Sequence, residues 1–452
     1  MLFNKKVFAI SVLTTLMTAN VHAAGFAIAE HSASGMGSAF AGAAATAEDA
    51  STTYFNPAGL SKLEGSQILV AGHYVAPASS FANNGSSLNI ALGGGTISGS
   101  GEDGGNGAFI PNFYYATKLN EKWAFGLGIN APFGQSTEYS ESWVGRYHAT
   151  KSEIVALNIN PSASFKVNDK LSFGFGASVQ YFEATLANQL DSRAICLAAG
   201  GGGACAGVGL VTLGDVTTDS SVSLNADDWS LGWNVGLLYD ISNETRLGMA
   251  YRSSVKHSLA GTADFTRSTE LNTFLTGAGS TAFTDTAASA GINLPETLSL
   301  SLQHTFNPKW KMLADVTWTR WSRFDRLVVD YNNPAQPTTT IPENWENSLR
   351  YSVGVNYQAD SKWIYRAGLA LDESPIASAE DRTPRLADND RFWVSLGFGY
   401  KMSDTSSIDV GYSHLFFDDT AINNTDASFS HTLTGTYDIS VDIFSAQYIW
   451  KF

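Results

Sequence analysis

From Ser66 to its last residue the chain keeps switching sides, and that alternation limits its fold more than any other feature. In the closing stretch "FSAQYIWKF", Phe444, Ala446, Tyr448, Trp450 and Phe452 share one face. Ser445, Gln447 and Lys451 lie on the other, with Ile449 as the exception. "RFWVSLGFGYK" sets Phe392, Val394, Leu396, Phe398 and Tyr400 on one side, and "LRYSVGVNYQ" does the same with Leu349, Tyr351, Val353, Val355 and Tyr357. A period of two means a strand with one apolar face. A soluble sandwich would bury that face against a second sheet. Here the apolar faces are wide, end in aromatics and recur many times, while the opposite faces carry Gly, Ser, Asn and scattered arginines. A closed barrel, with lipid outside and a polar or mixed lumen inside, satisfies both faces.

The connections fall into two kinds. "LNEK", "VNDK", "ISNE", "FNPK", "QADSK" and "MSDTS" are six short polar turns with the Asn, Asp and Pro chemistry of tight hairpins. Between the hairpins run seven long polar stretches, near residues 79–107, 134–152, 188–227, 266–293, 321–344, 373–389 and 418–436. Together these connections predict an all-β fold: a transmembrane antiparallel β-barrel of about fourteen strands over residues 66–452. Short turns at one end and long loops at the other are the asymmetry of outer-membrane barrels, and they put both chain ends on the periplasmic side.

Composition agrees. Charged residues are only 15% of the 452, aromatics are 12%, and there are 42 glycines, which suits strands that expose alternate residues to lipid. The formal charge of −15 argues against nucleic acid as a partner. Residues 1–23 read as a secretory signal peptide: Lys5 and Lys6, a short apolar run from Val7 to Met17, then "VHA" before a cleavage site. The chain therefore meets an oxidising compartment, where Cys196 and Cys205 of "CLAAGGGGAC" are a disulfide candidate. No zinc motif, P-loop or G-x-S-x-G is present. His304 has Ser299 and Ser301 near it on one strand, a spacing that arises by chance. The reading is a non-enzyme without metal or cofactor.

Residues 24–65 lack the alternation. They hold "EHSASGMGSAFAGAAATAEDAS", a small-residue stretch able to pack closely on other backbone, then "TYFNPAGL". A proline without an amide hydrogen and a glycine make this a poor start for a sheet. We expect this segment to fold into the lumen as a plug, or hatch, with a short helix around Met36 to Ala45, rather than to hang in the periplasm.

"AGFAIAEHSASGMGSAFAGAAATAEDASTTYFNPAGL" resembles the N-terminal hatch of the FadL family, outer-membrane transporters of long-chain fatty acids and related hydrophobic compounds. Its marker is Asn56, Pro57 and Ala58, followed by Gly59. Matches continue in family order through "FIPNFYYATKLNEKWAFGLGINAPFG", "NLPETLSLSLQHTFNPKWKMLADVTWTRWSRF" and "SIDVGYSHLF". The resemblance implies a fourteen-stranded barrel with a hatch, a monomer, and passive uptake of a hydrophobic ligand: a fatty acid, or in some relatives a monoaromatic hydrocarbon. It also implies a third strand that kinks inward and opens the wall to outer-membrane lipid, with Gly126, Gly128, Pro132, Phe133 and Gly134 as the candidates. Pro132 either marks that defect or simply ends the strand. Terminal Phe452 resembles the signal read by the barrel-assembly machinery.

A carboxylate head needs cations. By alternation Arg246, Arg252, Arg350, Arg366 and Arg391 point inward, most of them expected to pair with acids such as Asp372 and Asp409; Arg252, Arg350, Arg366 and Arg391 are the head-group candidates. The chain departs from the fatty-acid pattern at "FEATLAN" (182–188) and "VVDY" (328–331), where the best-known member has basic residues. Apolar loop material at 195–213 and 273–294 would either capture ligand or pack as a lid. A general porin or a surface adhesin is the rival reading; a porin needs no plug.

Overall fold

The computed structural model describes residues 25–452, so the expected signal peptide at 1–23 lies outside the described residues. The wall is one closed antiparallel sheet. In order it comprises β1 (Ser66–Asn83), β2 (Ala108–Lys118), β3 (Trp123–Asn130) continued by β4 (Gly134–Glu138), β5 (Lys151–Lys166), β6 (Leu171–Leu190) and β7 (Ser220–Asp240). Next come β8 (Thr245–Arg252) continued by β9 (Val255–Thr266), β10 (Thr286–Leu294) by β11 (Thr297–Asn307), and β12 (Trp310–Thr319) by β13 (Arg326–Tyr331). Last are β14 (Thr339–Pro342) continued by β15 (Ser348–Gln358), β16 (Trp363–Asp372), β17 (Arg391–Lys401), β18 (Ser406–Phe417) by β19 (Thr420–Thr425), and β20 (Thr432–Lys451). Six wall strands are interrupted once each, so the twenty segments form fourteen strands.

The barrel closes where β1 pairs with β20, from Gln67 opposite Lys451 to Asn83 opposite Gly435. Ser66 and Phe452 exchange backbone hydrogen bonds at 3.1 and 2.9 Å, so the terminal residue sits at the seam that completes the ring. The lipid-facing row is apolar, with Leu231, Phe444 and Trp450 exposed. Among the described residues no helix is long and apolar enough to cross a membrane; the strands do the crossing.

Residues 25–65 lie inside the barrel. The expected helix around Met36–Ala45 is instead two short ones, α1 (Ala33–Met36) and α2 (Ala43–Thr46), followed by α3 (Thr52–Phe55) and a 3₁₀ turn over Pro57–Lys62. Between α1 and α2 the backbone turns through left-handed Ala39 and Phe40, and the Phe40 N–H donates to Gly35 O at 2.8 Å. Small side chains let the turn press onto the wall. There the "polar-face" glycines act as a seat: a Cβ on Gly236 would stand 1.9 Å from Asn56 Oδ1, and one on Gly174 2.1 Å from the Ala58 nitrogen. Only glycine permits so close an approach.

Asn56 accounts for the Asn-Pro-Ala motif. Its Oδ1 accepts from the Ala58 N–H at 3.0 Å and caps the 3₁₀ turn, while its Nδ2 donates to Ala44 O at 2.6 Å and to Leu237 O on the wall at 3.0 Å. Pro57 follows as the first residue of the turn, where a missing N–H is harmless. One side chain thus ties hatch to hatch and hatch to barrel.

Candidate functional site

Above the hatch the lumen is apolar. Phe26, Phe182, Trp321, Phe324 and Trp345 are buried in one cluster, where the Phe26 ring lies 4.8 Å from Trp321 and 5.5 Å from Trp345. The tryptophans get there because the upper parts of four wall strands are offset. The β8/β9, β10/β11, β12/β13 and β14/β15 interruptions sit side by side, and the 3₁₀ turn Trp321–Arg323 dips inward between β12 and β13. Glu296 holds that turn through Arg320 at 3.1 Å and through Arg323.

Three cavities meet here. One of about 90 Å³ lies among Phe26, Phe182, Leu259, Phe324 and Trp345. A second, about 160 Å³, lies lower, between the hatch and Arg252, Arg350 and Arg391. The largest, about 810 Å³, runs past Phe26 and Phe133 to Phe109, Pro111, Val155 and Leu157, of which Phe109, Val155 and Leu157 are exposed on the outer surface.

That opening is a gap in the wall. β2 pairs with β3 only over Phe113–Lys118, and β4 pairs along its length only with β5. Asn130 stands opposite Asn158 and Gly134 opposite Val155, so the strand carries one extra residue, a bulge around Pro132. Hatch residues Phe26–Ile28 fill the inner side: Ile28 N–H donates to Pro132 O at 3.0 Å and Gly134 N–H to Phe26 O at 3.1 Å. Pro132, Phe133 and Gly134 are therefore at the break. Gly126 and Gly128 are not; both lie in the fully paired part of β3, and Gly126 faces Thr53 and Leu60 of the hatch. Sequence reasoning grouped them with the break because glycine weakens a ladder, whereas here it makes room.

The inward arginines divide by partner. Arg366 binds Asp409 at 2.7 Å and hatch residue Glu48 at 3.3 Å, and Lys311 also reaches Glu48 at 3.3 Å. It anchors the hatch floor, far from the apolar chamber. Arg246 pairs with Asp240 at 2.6 Å. Arg391 and Arg350 share Asp372, at 3.1 and 3.9 Å. Arg252 differs: it donates to Ser178 Oγ at 3.2 Å and Tyr54 O at 3.0 Å, and lies 4.2 Å over the Tyr54 ring. Among the described residues it has no carboxylate partner. His304 bonds Thr245 at 2.9 Å, while Ser299 and Ser301 pair with Thr317 and Asp315.

Two charged residues at the chamber's outer end were invisible in the sequence, because both belong to long loops. Arg385 donates to Lys151 O and Ser152 Oγ, each at 3.1 Å, and burial lowers its pKa to about 10. Glu343, above β15, lines the same cavity, where burial pushes its carboxyl up to about 8 against the pull of Arg385. The loops above close over the lumen. α4 (Ser192–Gly200), α5 (Gly202–Gly207) and α6 (Thr269–Gly277) bury Ile195, Leu210, Leu271 and Leu275 against one another, with Cys196 and Cys205 joined by a disulfide. Of the apolar loop material, the stretch 195–213 and the helix Thr269–Gly277 pack as a lid, whereas Thr286–Leu294 is wall strand β10.

A plugged fourteen-stranded barrel with an apolar chamber and a wall gap defines a class: outer-membrane proteins that pass apolar molecules rather than water. The family model described as "Outer membrane protein transport protein (OMPP1/FadL/TodX)" matches residues 14–452, and the chain belongs to that family. A long-chain fatty acid transport protein of an Escherichia coli O6:H1 strain is 29% identical over 425 residues, covering 92% of this chain and 91% of its own. Outer membrane protein P1 of Haemophilus influenzae is 30% identical over 435 residues, covering 91% and 90%. The crystal structure of a Pseudomonas aeruginosa FadL homologue superposes with a TM-score of 0.86 at 25% identity, over 95% of this chain and all of that one.

Proposed function

We propose that this protein carries long-chain fatty acids across the outer membrane by passive transport, held in the apolar chamber and released sideways through the gap at Pro132–Gly134. The continuity of the chamber with that gap carries the reading. Moving an alkyl chain into water costs about 0.8 kcal/mol per CH₂, so a wet pore is a poor route for it. The hatch seat at Asn56–Gly59 keeps the lumen closed below. For a carboxylate head, Arg252 at the hatch end of the chamber and Arg385 at its outer end are better placed than the paired Arg350, Arg366 and Arg391. Phe452, half-exposed at the closing seam, serves recognition by the assembly machinery.

Monoaromatic hydrocarbon uptake is the second reading, favoured by the almost wholly apolar walls around Phe26 and by acids at 183 and 330 where a carboxylate would want cations. Binding separates the two. A fluorescent fatty acid bound to purified protein is challenged with oleate, methyl oleate and toluene. Displacement by oleate far above the ester supports fatty-acid transport. Equal displacement by acid and ester moves the assignment to hydrocarbons, and no binding of any probe overturns both.

A further inference from the structure

The wall lapses at a second place beside a chamber. β7 pairs with β9 over Ser221–Asp227 and with β8 over Asn234–Asp240, leaving Asp228 to Trp233 without a ladder partner on that side. Asn234 stands opposite Arg252 and Asp227 opposite Ala260, so here too one strand carries an extra residue. Leu231 is nine residues from the short-turn end of β7 at Asp240, as Pro132 is from Trp123 at the start of β3. Both lapses therefore fall at a similar distance from the short-turn end, near mid-height in β7.

The closure is made almost entirely by side chains. Asp228 Oδ2 accepts from Ser258 N–H at 3.1 Å and lies 3.1 Å from His257 Nδ1. Ser230 Oγ donates to Lys256 O at 2.7 Å, and Ser253 Oγ accepts from Trp233 N–H at 2.9 Å. One backbone bond remains, Ser253 N–H to Trp233 O at 2.9 Å. Such bonds exchange with water or lipid head groups far more readily than a ladder does. The inner side of the seam, at Gly232, Ser253 and Val255, lines the cavity that contains Arg252. The outer side presents Trp229, Leu231 and Trp233 to lipid, with 73% of Leu231 exposed. Lys256 is exposed on the same outer face.

We infer that this seam between β7 and β9 is a second lateral portal, used by ligands with a carboxylate head. An acid held at Arg252 lies directly behind the seam, and Lys256 offers the next cation on the lipid side. An uncharged ligand gains nothing from either and has only the apolar gap at Pro132, whereas an acid has both exits. The inference rests on the transport reading above.

The test uses the full-length protein in outer-membrane vesicles, labelled by a diazirine-bearing long-chain fatty acid or by its methyl ester. The acid is expected to label Trp229–Trp233 or Ser253–Ser258 at least severalfold more than the ester, with both labelling residues around Phe133. Label around Phe133 but none at the seam, or equal seam labelling by acid and ester, overturns the portal while leaving the transport reading standing. Label nowhere in the lumen overturns the transport reading and the portal with it. A second measurement bridges Ser230→Cys and Ser258→Cys with a bifunctional thiol reagent, the native cysteines being already bonded. Acid uptake is expected to fall severalfold with ester uptake unchanged; an unchanged acid rate overturns the portal.

Discussion

At Pro132 and opposite Leu231 the barrel wall departs from a continuous ladder by the same device, one extra residue, and mends the fault differently. The extra residue is carried by β3/β4 in the first case and by β8/β9 in the second. The gap at β3/β4 is mended with backbone. Residues Phe26–Ile28 of the hatch pair with Pro132–Gly134 from inside, and a large apolar cavity stays open beside them. The seam at β7/β9 is mended with Asp228, Ser230 and Ser253, leaving little open space. A third lapse, where β10 and β13 diverge, is filled with Trp321 and Phe324. The lesson is chemical. Beside the large apolar cavity the defect is apolar and propped by a separable segment; where the lumen is polar, the defect is latched by polar groups.

The comparison breaks most sharply at Pro132. Deleting this one residue restores register against β5 and lets the strand regain its N–H donors. Some five ladder bonds, at about 1 kcal/mol each, would then oppose opening. Uptake of methyl oleate, which has only this exit, is expected to fall roughly a thousandfold or more, with the barrel still heat-resistant on a gel. Fatty-acid uptake should change far less, because the β7/β9 seam remains. Unchanged ester uptake would move the apolar exit elsewhere.

Next in size is Arg252→Met. A charge-assisted bond contributes roughly 1.5–3 kcal/mol, so oleate should bind about ten- to a hundredfold more weakly, with methyl oleate unchanged. Equal losses for both would assign Arg252 to holding Tyr54 alone. Gly236→Ala acts on the hatch rather than the ligand. Its Cβ meets Asn56 Oδ1, and overpacking of this kind costs typically ~1–3 kcal/mol. Faster protease cleavage near Asn56, with an intact barrel, is the expected result.

The sequence reveals the repeating parts and hides the singular ones. Alternation and turn chemistry announce the lower part of each wall strand and each short turn because those rules repeat along the chain. The outer segments β4, β10, β13, β14 and β19, by contrast, fall within stretches that read as long loops. The inward arginines followed from the same parity. What parity cannot show is partnership: Arg252 and Arg366 look alike in sequence, yet one faces a tyrosine and the other is held by Asp409 and Glu48. Glycines on the inner face read as weak points, and only the packed hatch shows Gly126, Gly174 and Gly236 as its seat. The one-residue bulge opposite Asp228–Trp233, between Arg252 and Ala260 of the partner strand, leaves no mark in the β7 sequence itself. It is a mismatch between two strands, visible only once they are paired. Arg385 and Glu343 reach the chamber from loops, where no periodicity exists to place them.

The smallest expected effect concerns the chamber's outer end, where neither wall defect is involved. Burial holds the Glu343 carboxyl protonated up to about pH 8, well above the ordinary carboxylate value of 4.5. The folded chain therefore binds a proton here that the unfolded chain has released, throughout the window from about 4.5 to 8. The stability this group contributes is fully present below that window and is lost as pH rises through it. The same ionisation sets a negative charge beside the Arg385 that an anionic head group would use. Between pH 7 and 9 oleate affinity should weaken by roughly three- to fivefold, the size of one partly screened charge contact, while methyl oleate stays flat. Glu343→Gln should remove the slope and leave tight oleate binding at both pH values. An oleate profile that keeps its slope in Glu343→Gln would place the head group at Arg252 alone, deep against the hatch, and make the upper chamber a site for the alkyl chain only.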